Sequence, residues 1–113
     1  MDLRVYITTI GEDILFENLQ RMLTYSPPHE LTIWYEARDG KVDDVFYDRC
    51  KAYTQDVILS RKNHGLTAQM GYGLLYLDYE YLLHLTPDLV LMEDYWPRLY
   101  RPFEEIPQLG MSG

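Results

Sequence analysis

The sequence predicts an α/β fold: a three-layer sandwich around a mainly parallel sheet of about four strands. Two observations carry this. Short apolar, β-branched runs alternate with longer runs whose apolar residues fall at helical spacing, and the connections between them are short. Right-handed crossovers then leave few topologies, of which the strand order 3-2-1-4 is the expected one. With 113 residues the chain suits a single domain.

The first strand is read in Leu3 to Thr8, and Gly11-Glu12-Asp13 opens a helix with acidic residues in the place that favours them. Ile14, Leu15, Leu19, Met22 and Leu23 form its apolar face, and Ser26-Pro27-Pro28 stops it. Leu31 to Tyr35 is the second strand, with Glu36 at its end and a turn at Arg38-Asp39-Gly40. Val42, Val45, Phe46, Cys50 and Tyr53 mark a second helix, with Cys50 expected as a buried, inert thiol. Asp56 to Leu59 is the third strand, Leu66 to Leu77 the third helix, and Tyr81 to Leu85 the fourth strand. Residues 97–113, which carry Pro97, Pro102 and Pro107, are expected to form an irregular tail behind a domain spanning residues 1–96.

Composition narrows the function. Ten Lys and Arg against 18 Asp and Glu give a net charge of −8, which argues against general nucleic-acid binding but leaves room for a small phosphorylated ligand held by local donors. A single cysteine excludes an intrachain disulfide and a cysteine-based zinc site. No segment is apolar for long enough to span a bilayer, and Met1-Asp2-Leu3-Arg4 does not start a signal peptide, so a cytoplasmic protein is expected.

In open α/β sheets ligands bind beyond the carboxyl ends of the strands, where the strand order reverses. In the order 3-2-1-4 that point lies between strands one and four. It gathers Thr8 and Thr9 from strand one, Glu36 from strand two and Thr86-Pro87-Asp88 from strand four, beside the Asn63-His64-Gly65 loop that enters helix three. Two acids, several hydroxyls and a positive helix end suit a nucleoside diphosphate with a divalent cation, because hard cations bridge carboxylate and phosphate oxygens.

The stretch KNHGLTAQMGYGLLYLDYEYLLHLTPDLVL resembles the nucleotide-binding half of family-2 type glycosyltransferases of the GT-A fold, which is Rossmann-like. Asn63, Gly65 and Gly73 sit where that family's N-x-G pattern wants them. LRVYITTIGEDILFENLQRML resembles its first strand and helix, and ELTIWYEARDG its second strand with the closing acidic residue. The resemblance covers Leu3 to about Trp96. It implies binding of a UDP- or GDP-sugar with Mn2+ or Mg2+, Asp88 as the metal ligand, Thr8, Thr9, Glu36, Asn63 and Gly65 around the nucleotide, and sugar transfer with inversion. Thr86 stands where the family has the first acid of its metal pair. The family's acceptor half, which carries the catalytic base, has no counterpart here, so Glu93, Asp94 or a second subunit would have to supply that base.

Each site residue also has a plainer reading. Asp88 reads more readily as a turn or cap residue, and Glu36 equally as a solvated loop acid and the Thr pair as ordinary strand residues. The alternative function is an interaction protein that kept the fold, lost the chemistry and works as a homodimer or on a partner. A third reading, an unrelated flavodoxin-like domain, would show the strand order 2-1-3-4.

Overall fold

The computed structural model describes residues 2–113. Its elements run β1 (Leu3–Thr9), α1 (Ile14–Tyr25), β2 (Glu30–Glu36), α2 (Asp44–Tyr53), β3 (Val57–Ser60), α3 (Leu66–Tyr76), β4 (Tyr81–Leu85) and α4 (Tyr95–Glu105). The four strands form one sheet in the order β3-β2-β1-β4, and every pairing is parallel. The alternation and the topology read from the sequence are therefore those of the fold. None of the helices among the described residues is long and apolar enough to cross a membrane.

Strand residues alternate between two faces, and the faces differ in chemistry. One carries Leu3, Val5, Ile7, Leu31, Ile33, Tyr35, Leu83 and Leu85, and it packs with Leu15, Leu19 and Met22 of α1 and Phe46 and Cys50 of α2 into the main core. Burial pushes the Cys50 thiol up to about 11, against a smaller opposing effect of Arg49, so it stays protonated and inert. The other face carries Arg4, Tyr6, Thr8, Thr32, Trp34, Glu36 and His84, and α3 alone crosses it, joined by Tyr6, Trp34 and Glu36. The split follows from right-handed crossovers. Two successive β-α-β units moving one way along the sheet place α1 and α2 together, and the return to β4 places α3 opposite.

Helix α2 is capped by Asp43, whose carboxylate accepts the Phe46 N–H at 3.1 Å. Its apolar stripe is narrower than the sequence suggests: Phe46 and Cys50 are buried, whereas Val45 is 71% exposed. Residues 45 and 46 are a quarter-turn apart, and only one of them can face the sheet.

The C-terminal segment departs from expectation. It is not irregular from Pro97 onward but forms α4, and only residues 106–113 lie outside it. Pro97 falls in the first turn, where a backbone N–H has no intrahelical partner to lose. Pro102 lies inside the helix and does remove such a bond. The apolar positions Tyr95, Leu99 and Phe103, with Trp96 and Tyr100 beside them, offset that loss. Tyr95, Trp96 and Leu99 pack on the core, and Tyr81 meets the rings of Tyr100 and Phe103 at 5.3 and 5.4 Å.

Gly73 is where α3 comes closest to the sheet. A methyl group there would lie 2.6 Å from the ring of Tyr6, which is fully buried and tied by its hydroxyl to the Gln69 carbonyl at 2.7 Å. Gly71, two residues earlier, has nothing within 4 Å of such a methyl. Gly73→Ala is expected to destabilise the fold by about 1–3 kcal/mol through overpacking. Gly71→Ala is expected to stabilise it by about 0.5–1 kcal/mol through helix propensity. Urea denaturation of the two variants checks the contrast.

Candidate functional site

The carboxyl ends of the strands meet the start of α3 around one buried acid. Glu36 ends β2 with no exposed surface at all. Its Oε1 accepts the indole N–H of Trp34 at 3.3 Å, and its Oε2 accepts the backbone N–H of Gly65 at 3.3 Å. The guanidinium of Arg38 stands 3.6 Å from the same Oε2. Gly65 is the N-cap of α3 and adopts φ 82°, a left-handed conformation that favours glycine. The carboxylate thus sits at the positive end of α3, where backbone N–H groups would otherwise lack partners.

Burial by itself would raise the pKa of Glu36. The Gln69 side-chain amide, the Gly65 and His64 backbone groups and the Trp34 indole together outweigh it and hold the acid below the ordinary glutamate range. Gln69 is itself buried, and although its amide favours the charged carboxylate, its Nε2 makes no hydrogen bond to any group among the described residues.

The hydroxyls of β1 point apart. Thr8 shares a 2.9 Å hydrogen bond with His84 Nε2 on the α3 face. Burial lowers the pKa of His84, so this imidazole is neutral at physiological pH. Thr9 lies on the opposite face, where it donates to Glu12 Oε1 at 2.8 Å, and the same oxygen accepts the Ile10 N–H at 2.6 Å. Both threonines are buried. They close their own surroundings instead of lining an opening together.

Asp88 is exposed just beyond β4. Its Oδ1 accepts the Thr86 hydroxyl at 2.9 Å, and the turn is anchored from α1 by the Asn18 amide, which donates to the Pro87 carbonyl at 2.8 Å. Asn63 and His64 are exposed in the loop before α3. Glu93 and Asp94 are exposed at the start of α4, with Asp94 paired to Arg98 at 2.9 Å. Among the described residues no three His, Cys, Asp or Glu side chains converge as a metal site. Asp88 therefore belongs to no ready-made ligand set among the described residues, and any divalent ion beside it would need most of its oxygens from a ligand.

Two openings flank α3. A pocket of about 450 Å³ lies toward β3, walled by Trp34, Ile58 and Tyr72 and rimmed by Arg61, Lys62 and His64. A larger groove of about 1130 Å³ runs along β4 between α3 and α4, with Leu74, Leu89 and Met111 among its exposed apolar residues. Sequence reasoning placed Glu36 and Gly65 near one another. It overlooked Gln69 and Arg38, whose only signal is spacing, since Gln69 lies one helical turn past Gly65 and Arg38 shares the strand-end loop with Glu36, and it overlooked Tyr72, which has no such signal.

Removing the charge of Glu36 should weaken the fold. In Glu36→Gln the Gly65 and Trp34 donors face a weaker acceptor and the amide N–H groups meet donors, a loss of roughly 1–3 kcal/mol at neutral pH. Because the folded pKa lies below the unfolded one, the contribution is complete above the ordinary glutamate pKa of about 4.3 and fades as pH falls through the lowered folded value. Urea midpoints of both proteins from pH 7 downward should therefore converge only in acid.

Compared with known proteins, the chain matches no family model, and no curated protein sequence matches it.

Proposed function

We propose that this chain is a GT-A-like domain that binds a nucleotide-sugar, a UDP- or GDP-sugar, at the carboxyl ends of its strands and serves sugar transfer to an acceptor. The supporting observation is the switch point: β1 and β4 are parallel neighbours, the sheet runs 3-2-1-4, and the exposed carboxylate of Asp88 and the exposed Asn63–Gly65 loop lie at that end of the sheet. The resemblance of residues 3–96 to family-2 glycosyltransferases gives the ligand class. From β2 to β4 is two interstrand spacings, about 10 Å, a span that a nucleoside diphosphate covers.

In this reading Asn63 and the Gly65 backbone border the ligand. Glu36 and Thr8 act from beneath, the first by holding Gly65 and the second through His84. Asp88 would hold Mn2+ or Mg2+, which would supply charge neutralisation for a diphosphate leaving group. Glu93, which has no cationic partner within 4 Å among the described residues, is the better general-base candidate than Asp94, which is held by Arg98.

A second reading, a domain that kept the fold and works by self-association, is favoured by two facts. Thr8, Thr9 and Glu36 are engaged by the chain's own groups, and an apolar groove runs beside β4. Calorimetry separates the two. Binding of UDP, GDP or their sugars that strengthens with Mn2+ and weakens at least tenfold in Asp88→Ala is the expected result. No heat at millimolar ligand would sink the nucleotide-sugar reading. Sedimentation showing a dimer that Leu74→Glu and Leu89→Glu dissociate would establish the second.

A further inference from the structure

The pocket on the β3 side of α3 is lined by none of Thr8, Thr9, Glu36 and Asp88, and it meets the switch-point site only through His64 of the Asn63–Gly65 loop. Its floor is made by Trp34 and Ile58, which are register partners on adjacent strands and so present one continuous apolar surface. Tyr72 of α3 rises beside them, its ring 5.2 Å from that of Trp34 and at 61° to it. His64 stands edge-on to Trp34 across the mouth, at 5.8 Å and 82°. These rings pack edge-to-face on one another and form one wall of an open pocket, and its volume near 450 Å³ is in the range of small-ligand sites.

The rim supplies the charge. Most cations of this acidic chain are engaged. Arg4, Arg38 and Arg98 form ion pairs, and Arg21, Arg49 and Lys51 lie over the rings of Tyr25, Phe16 and Tyr47. That leaves Lys41, Arg61, Lys62 and Arg101 with neither a carboxylate nor a ring partner among the described residues. Arg61 and Lys62 are consecutive and line this pocket, and the turn that carries Lys41 lies against the same segment, with Gly40 close to the Arg61 carbonyl. In a protein of net charge −8, neighbouring uncommitted cations beside an aromatic wall complement a ring bearing negative charge.

We propose that this pocket is a second ligand site and takes a planar ring that carries a phosphate group. The ring lies against the surface made by Trp34, Ile58 and Tyr72, and the phosphate is held by Arg61 and Lys62. Its source is either a nucleotide or a simple aryl phosphate, since the pocket recognises the shared ring-plus-phosphate chemistry.

The indole N–H of Trp34, which donates to Glu36, reports on the site. Its two-dimensional NMR peak is identified by elimination in Trp96→Phe, because the chain has two tryptophans. Uridine monophosphate, phenyl phosphate and inorganic phosphate are titrated separately into the full chain. The expected result is saturable movement of the Trp34 indole and of the Lys62 and His64 amides with at least one of the two ring phosphates, at least tenfold tighter than with inorganic phosphate. Which ring phosphate binds identifies the source. The double variant Arg61→Ala/Lys62→Ala, exposed and expected to melt like the parent, should weaken binding at least tenfold, and Tyr72→Leu several-fold. Asp88→Ala should leave the titration unchanged, which keeps this test distinct from that of the switch point. The proposal is overturned if inorganic phosphate binds as well as the ring phosphates, if neither ring phosphate moves these peaks, or if the double variant binds as tightly as the parent.

Discussion

The carboxyl end of this sheet is organised by one carboxylate without access to water. Glu36 lies where β2 stops, and its two oxygens take up the Trp34 indole and the Gly65 N–H. Burying an acid is costly unless its charge is matched, and here backbone and side-chain donors match it well enough to keep it ionised. Three parts of the molecule follow from that bond. It sets the start of α3 over the sheet, fixes the left-handed turn at Gly65, and thereby holds the segment from Arg61 to His64 at the mouth of the aromatic pocket.

The two faces of the sheet are unlike. Parallel sheets are usually apolar on both sides because helices cover both. Here one face follows that rule, and the other combines the apolar surface of Trp34 and Ile58 with polar groups that bond mainly to one another beneath a single helix. At the amino end Arg4 meets Thr32 at 3.1 Å and Asp56 at 3.4 Å. In the middle Tyr6 reaches Gln69, and at the carboxyl end stand the Thr8–His84 pair and Glu36. One helix is narrower than four strands, so the flanks of this face stay open. The pocket toward β3 lies on one flank, the larger groove wraps the β4 edge on the other, and Gly73, which brings α3 onto Tyr6, sets how closely the helix sits between them.

The strands, the helices and the order 3-2-1-4 were legible because each rests on a local signal: alternation, helical spacing, or the handedness of short crossovers. What was not legible depended on long-range placement. Val45 and Phe46 are equally apolar, and only the docking of α2 decides which is buried. Pro97 and Pro102 argue locally against a helix, and α4 forms because the core accepts Tyr95, Trp96 and Leu99. Glu36 was recognised as a strand-end acid, yet its depth in the protein was not, although Thr32, Trp34 and Glu36 fall in one phase of the strand and so share a face. The pocket was harder still. Trp34, Ile58 and Tyr72 come from three separate elements, and no spacing within the chain connects them.

The position of Glu36 also constrains how any ligand is held at this end. A helix N-terminus carries roughly half a positive charge, and a full carboxylate already faces that of α3. The field there is thus neutralised from inside, and an incoming phosphate cannot rely on it as it would on an uncapped helix. Attraction must come from side chains, and the ones available are Arg61 and Lys62, with Lys41 close by. Their reach depends on ionic strength, since exposed charges are screened over about 10 Å at 0.1 M salt. In the proposed ring-phosphate site, anion recognition would therefore rest on flexible side chains and not on the helix backbone, whose start already faces a buried carboxylate. The rigid partner there would be the aromatic wall, which is itself held in place by the hydrogen bond from Trp34 to Glu36.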